Sequence, residues 1–165
     1  MDQSSTHLHH LFISVGMKKK TQLFYFFQIT NAAEFKKHLA KDIHPRITSA
    51  TQLLDVNKQP PTAVNIAFSQ KGLSALKITD SLNDPAYSSG QAADANNLGD
   101  SGTDGWVQQF TGNNIHGVFL LASDTMDKIN TELGEIQSVL RDCTVEQYRL
   151  NAAARPGDQE GHERM

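Results

Sequence analysis

A chain of 165 residues is long enough for one domain of ordinary size with a real buried core. Hydrophobic residues make up 38% and charged residues 20%, with 11 glycines and 5 prolines, which excludes a collagenous, low-complexity or strongly charged disordered chain. Fifteen Lys and Arg against 18 Asp and Glu give a formal charge of −3, so no basic field is available to hold a nucleic-acid backbone or an anionic membrane.

Residues 23–29 (LFYFFQI) are aromatic or branched on both parities, as a central strand requires. Asn31 stands three residues before Glu34, a variant of the capping box. Ala32, Phe35, Leu39 and Ile43 follow at helical spacing, which predicts an amphipathic helix ending before Pro45. A short segment, 47–56, leads to the Pro60-Pro61 break, after which Val64, Ile66 and Phe68 alternate as a second strand. Residues 71–78 read as a short helix, and the Asp, Asn, Ser and Gly-rich stretch after it, up to Gly105, as an insertion carried on the surface.

A third strand is predicted at 115–122 (IHGVFLLA), paired beside the first. Behind Ser123 and Asp124, the residues Met126, Ile129, Leu133, Ile136 and Leu140 step by three and four, giving a helix with an apolar stripe. A fourth strand, weakly alternating, is read at 145–150, and 152–165 as a tail without periodicity. The order β-α-β-insertion-β-α-β is the split βαβ arrangement, a ferredoxin-like α+β sandwich with a four-stranded antiparallel sheet and helices on one face.

Candidate chemistry is sparse. The lone Cys143 excludes an internal disulfide and a multi-thiolate zinc site, and nothing in the sequence near it marks an activated nucleophile. His7, His9 and His10 form a metal-capable cluster, but near a chain end that provides no fixed support for ligands. Two acidic segments, around Asp94, Asn96 and Gly99 and around Asp100, Asp104 and Gly105, approach a calcium loop. Both lack the bidentate Glu at the twelfth position and read as solvated turns and caps. His116, on the third strand, is read as a hydrogen-bonded core residue, since no acid lies beside it to orient the ring. Trp106 with Phe110 is read as an anchor for the loop. No apolar run approaches the ~20 residues needed to cross a bilayer. The N-terminal residues MDQSSTHLHHLFISVGMKKK put an acid and three His ahead of a short apolar stretch and lysines after it, the reverse of a signal peptide's charge order, which leaves a cytoplasmic location as the default.

Four segments resemble the N-terminal part of fungal dye-decolorising (DyP-type) haem peroxidases: GMKKKTQLFYFFQI from Gly16, RITSATQLL from Arg46, VNIAFSQKGLSALKITDSLNDPAYSSGQAADANNLGD from Val64, and WVQQFTGNNIHGVFLLASD from Trp106. The likeness continues to RPGDQEGHE at Arg155. It implies a protein of two ferredoxin-like halves with one haem b held mainly by the second, using hydrogen peroxide to oxidise dyes and phenolic substrates. Many fungal relatives are extracellular. In the family the last segment runs into a GxxDG motif with the distal Asp. That acid, its distal Arg partner and the proximal His would then lie after Met165, which leaves no catalytic residue and no metal ligand on this chain.

The resemblance therefore implies a catalytically incomplete N-terminal domain at 16–151, an unmatched extension at 1–15 and a truncated linker at 152–165. Its partner would be the missing haem-binding half. His162 alone falls close to where the acid loop would begin and is named as a haem-edge residue. The alternative of another class is a non-catalytic ferredoxin-like interaction module. Either way, a face built to meet another domain predicts self-association of the chain by itself.

Overall fold

The computed structural model of the chain describes residues 19–55, 57–80, 82–112 and 114–153. Four strands form one antiparallel sheet in the order β2-β3-β1-β4: β1 Thr21–Ile29, β2 Thr62–Phe68, β3 Gly117–Ser123 and β4 Thr144–Ala153. Five α-helices accompany them: α1 Ala32–His38, α2 Ala50–Leu54, α3 Gln70–Ala75, α4 Pro85–Ser89 and α5 Met126–Leu140. Strand β3 lies between β2 and β1, so each βαβ unit is split by a strand of the other, and the fold is the ferredoxin-like sandwich expected from the element order.

The apolar residues of β1 divide by parity. Leu23, Tyr25, Phe27 and Ile29 are buried against the helices, while Phe24 and Phe26 on the other face are half-buried. Phe27 stacks on Phe35 of α1 at 5.6 Å between ring centroids and on Phe119 of β3 at 5.2 Å, with Phe68 edge-on to both Phe27 and Phe35. Helix α5 adds Ile129, Leu133, Ile136 and Leu140, its predicted stripe, to the same core. Each such side chain contributes about 1.5–3 kcal/mol by leaving water. Gly117 stands opposite Phe27 because a Cβ there would lie 2.6 Å from the ring.

Several boundaries differ from the sequence expectation. The first α-helix ends at His38, before Pro45, but turns of other pitch carry the chain on through the proline. After His38 the chain widens into a π-turn at Leu39–Ile43, where the His44 N–H reaches the Leu39 carbonyl, and then tightens into a 3-10 turn at His44–Arg46. Pro45 is tolerated there because the first turn of a helix has no use for its missing N–H. Helix α3 ends at Ala75, short of the expected Ile78, and beyond its cap Lys77, with a φ of 56°, closes a Schellman turn. The Ile78 N–H returns to Leu73 and that of Lys77 to Ser74.

The cap of α5 is Thr125, whose side chain accepts from the Lys128 N–H. Ser123 is the buried end of β3 and donates to the Pro61 carbonyl at 2.7 Å, and Asp124 faces Lys19 and Lys128. Strand β3 begins two residues later than predicted, leaving His116 just ahead of it. Strand β4 reaches into the expected tail, where Ala152 and Ala153 pair with Gln22 and Thr21.

Candidate functional site

Two features of the chain await a partner or a role: the sheet face away from the helices, and the junction at which the long insertion returns to the sheet. Register places Phe24 beside Leu120 of β3 and Leu150 of β4, and Phe26 beside Val118 and Tyr148. Asn65 of β2 continues the Phe24 row through Leu120. Alternation along a strand puts all of these on the face opposite the core. Among the described residues no helix packs there. The turn Gln108–Phe110 covers one end, with the Phe110 ring 4.9 Å from Phe26 and 5.3 Å from Tyr148, both edge-on. The Phe24 end stays open, and Leu150 is 47% exposed. The anchor predicted for the loop is thus Phe110. Trp106 stays within the loop and gives its indole N–H to Asp100 at 3.2 Å.

At the junction, the His116 N–H donates to the Phe27 carbonyl at 2.9 Å and its own carbonyl accepts the Ser69 N–H at 3.0 Å. The ring Nδ1 accepts the Ile29 N–H at 3.1 Å. In an antiparallel pair that amide would bond the next carbonyl of the neighbouring strand, but the Ile115 carbonyl has turned away to the Ser69 hydroxyl at 2.7 Å. The imidazole therefore completes the ladder, and burial lowers its pKa below the ordinary histidine value. The core reading of His116 holds in its hydrogen bonds, although the residue is only partly buried.

The acids of the insertion act as caps and turn ligands: Asp94 accepts from the Asn97 side chain at 2.7 Å, and Asp100 from Trp106. Among the described residues no group of three or more His, Cys, Asp or Glu is placed to hold a metal ion. Cys143 is buried and its thiol donates to the Leu140 carbonyl at 3.4 Å. Burial, then the charges of Asp142 and Glu34, push its pKa up, away from nucleophilic character. His7, His9, His10 and His162, and the whole segment 155–163, lie outside the described residues.

A haem needs an axial donor beside an apolar slot, and the described residues do not fit one. The neutral His116 ring accepts at Nδ1 and so carries its proton on Nε2, and His38 lies on a polar helix surface between Asp42 at 2.8 Å and Glu34 at 3.9 Å, not beside an apolar slot. His44 stands exposed on the 3-10 turn. A cleft of about 390 Å³ between α2, the start of β2 and α5 is lined by polar and proline residues, without a histidine. Arg46 in it is already committed to Glu132 at 2.8 Å and Glu135 at 2.7 Å. Sequence reasoning did not single out Ser69, Gly72 or the Phe24 face. The signal for the face was present in the two apolar parities of β1.

Residues 12–156 match the family described as the DyP dimeric alpha+beta barrel domain. The chain is 55% identical over 152 residues to the dye-decolorizing peroxidase msp1 of Mycetinis scorodonius, covering 92% of this chain and 30% of that protein. It is 50% identical over 151 residues to the dye-decolorizing peroxidase AauDyP1 of Auricularia auricula-judae, with the same coverage. The crystal structure of AauDyP complexed with imidazole superposes with a TM-score of 0.85 at 50% identity, over 92% of this chain and 34% of that one. A dye-decolorizing peroxidase engineered in its heme pocket for asymmetric sulfoxidation superposes equally well, with a TM-score of 0.85 at 49% identity. The chain spans about 30% of the length of the curated relatives it matches. Family match, sequence identity and fold agree that it belongs to the DyP-type peroxidases and corresponds to their N-terminal ferredoxin-like domain.

Proposed function

We propose that this chain is the scaffold half of a haem peroxidase, and that its helix-free sheet face is where the haem-carrying part of the protein docks. The observation that carries the reading is the apolar row Phe24, Leu120 and Leu150 on a face without helices. A sheet apolar on both faces needs a layer on each, and only one is supplied among the described residues. The domain is taken as 16–151, with β4 carrying the sheet on to Ala153.

Peroxide cleavage needs a proton shuttle, a positive charge for the developing anion and an axial ligand on iron. Among the described residues Arg46 and the acids it meets, Glu132 and Glu135, neutralise one another beside a cleft without a histidine, which supports placing the chemistry in the portion of the relatives' length that this chain does not match. The complete protein would then hold haem b and oxidise dyes and phenolic compounds with hydrogen peroxide. His162 is kept as a haem-edge residue of that assembly.

Co-expressing the chain with the part of AauDyP1 that it does not match, in the presence of hemin, tests this. Co-purification, a defined Soret band and peroxide-dependent dye oxidation, none of which the chain shows alone, are expected. A chain that by itself binds hemin with a defined Soret band and turns over peroxide overturns the scaffold reading. A soluble monomer that ignores the other part identifies a free-standing interaction module instead.

A further inference from the structure

We propose that His116 is a proton-operated latch on the long connection between α3 and β3: its neutral ring holds the base of that connection closed, and protonation releases it. The connection leaves α3 at Leu76 and returns at His116, and its two ends are pinned to one another. Ser69, the N-cap of α3, gives its N–H to the His116 carbonyl and its hydroxyl to that of Ile115. Gly72, one turn into α3, lies so close that an added Cβ would fall 1.9 Å from the His116 oxygen. The ring then ties the same point to β1 through the Ile29 amide.

Because Nδ1 accepts, the ring proton sits on Nε2, and a second proton would place N–H against N–H. Among the described residues no hydrogen bond joins the ring to an acid: the nearest flanking elements carry Glu146, paired with Arg149, on β4 and Glu34, paired with Lys37, on α1. Strand β1 offers only Tyr25 as a titratable group, α3 only the exposed Lys71, and β2 and β3 none. Tyr87 of α4 gives its hydroxyl to the Phe68 carbonyl, and Asp84 caps its own helix through the Tyr87 N–H. Burial is accordingly what resists the charge. Phe110, seated on Phe26 and Tyr148, lies just upstream of Ile115, so loosening the base frees the aromatic seat on the open sheet face. The latch thus couples acidity to how much of that face is exposed.

The chain's only tryptophan, Trp106, reports on the same connection. Nitrogen-15 NMR of the 165-residue chain, with His116 assigned by its loss in His116→Asn, reads the tautomer and the midpoint of the ring directly. We expect an Nε2–H ring at neutral pH. As His116 takes up its proton, exchange of the Ile29 amide should rise by about tenfold, as losing one ordinary hydrogen bond gives, and Trp106 fluorescence should change with the same midpoint. In His116→Asn the side-chain oxygen still accepts but does not titrate, so that transition disappears. Asp100→Asn, which replaces the carboxylate that accepts the Trp106 indole N–H, is made in the background of both chains so that the fluorescence reports the connection alone. A Trp106 transition that persists in His116→Asn overturns the proposal. So does a wild-type His116 that titrates with no change at Ile29, a readout that stands even where the variant fails to fold.

Discussion

Replacing Gly72 by alanine puts a methyl group where the His116 carbonyl already lies. The new Cβ would sit 1.9 Å from that oxygen, whereas ordinary contact begins near 3.4 Å, so the carbonyl must retreat by about 1.5 Å (3.4 − 1.9). The Ser69 N–H bond to it, now 3.0 Å, does not survive such a movement. Overpacking costs about 1–3 kcal/mol and a lost hydrogen bond about 0.5–1.5 kcal/mol, against a gain of up to ~1 kcal/mol from alanine in a helix. With mid-range values the net is a destabilisation of about 2 kcal/mol. With a urea dependence of about 2 kcal/mol per molar for a domain of this size, the unfolding midpoint falls by about 1 M. Gly134 is the control. It lies exposed within α5 with nothing within 4 Å of an added Cβ, so Gly134→Ala raises stability by about 0.5–1 kcal/mol. Urea unfolding followed by circular dichroism compares the two. A Gly72→Ala chain as stable as the parent would refute the close approach on which the junction rests.

Stability should also fall with acidity. Burial depresses the folded-state pKa of His116, so below about pH 6.5 the unfolded chain binds the extra proton first. The contribution is constant above that value and is lost as pH falls toward the folded pKa; urea midpoints across this window should drop, and His116→Asn should flatten that part of the profile. Phe27→Ala removes the ring that stacks on Phe35 and Phe119 and costs about 3–5 kcal/mol, much of a typical domain's stability, as thermal unfolding should show. Phe24→Lys, on the half-buried opposite parity, should leave the circular dichroism spectrum unchanged and abolish self-association in size-exclusion chromatography. Persistent association of that variant would place the sticky surface elsewhere.

The type and order of the elements were legible because they rest on local signals. The Met126 to Leu140 stripe, the Asn31 cap and the alternation of Val64, Ile66 and Phe68 need no distant partner to be recognised. The resemblance carried by those same segments pointed to the family that the comparisons establish. Which parity of β1 meets the helices was not legible, since Phe27 and Phe26 are equally apolar. Gly117 and the facing rings of Phe35 and Phe119, brought in from distant segments, decide it.

His116 shows the limit most clearly. Its bonds go to Phe27, Ile29 and Ser69, far away along the chain, so only the tertiary structure turns a lone histidine into the pin of a long insertion. Local spacing sets periodicity and caps, which are properties of neighbours in sequence. Pairing across the sheet depends on where remote segments are packed, and with it come the burial of a ring, the close approach of a glycine and the exposure of a face.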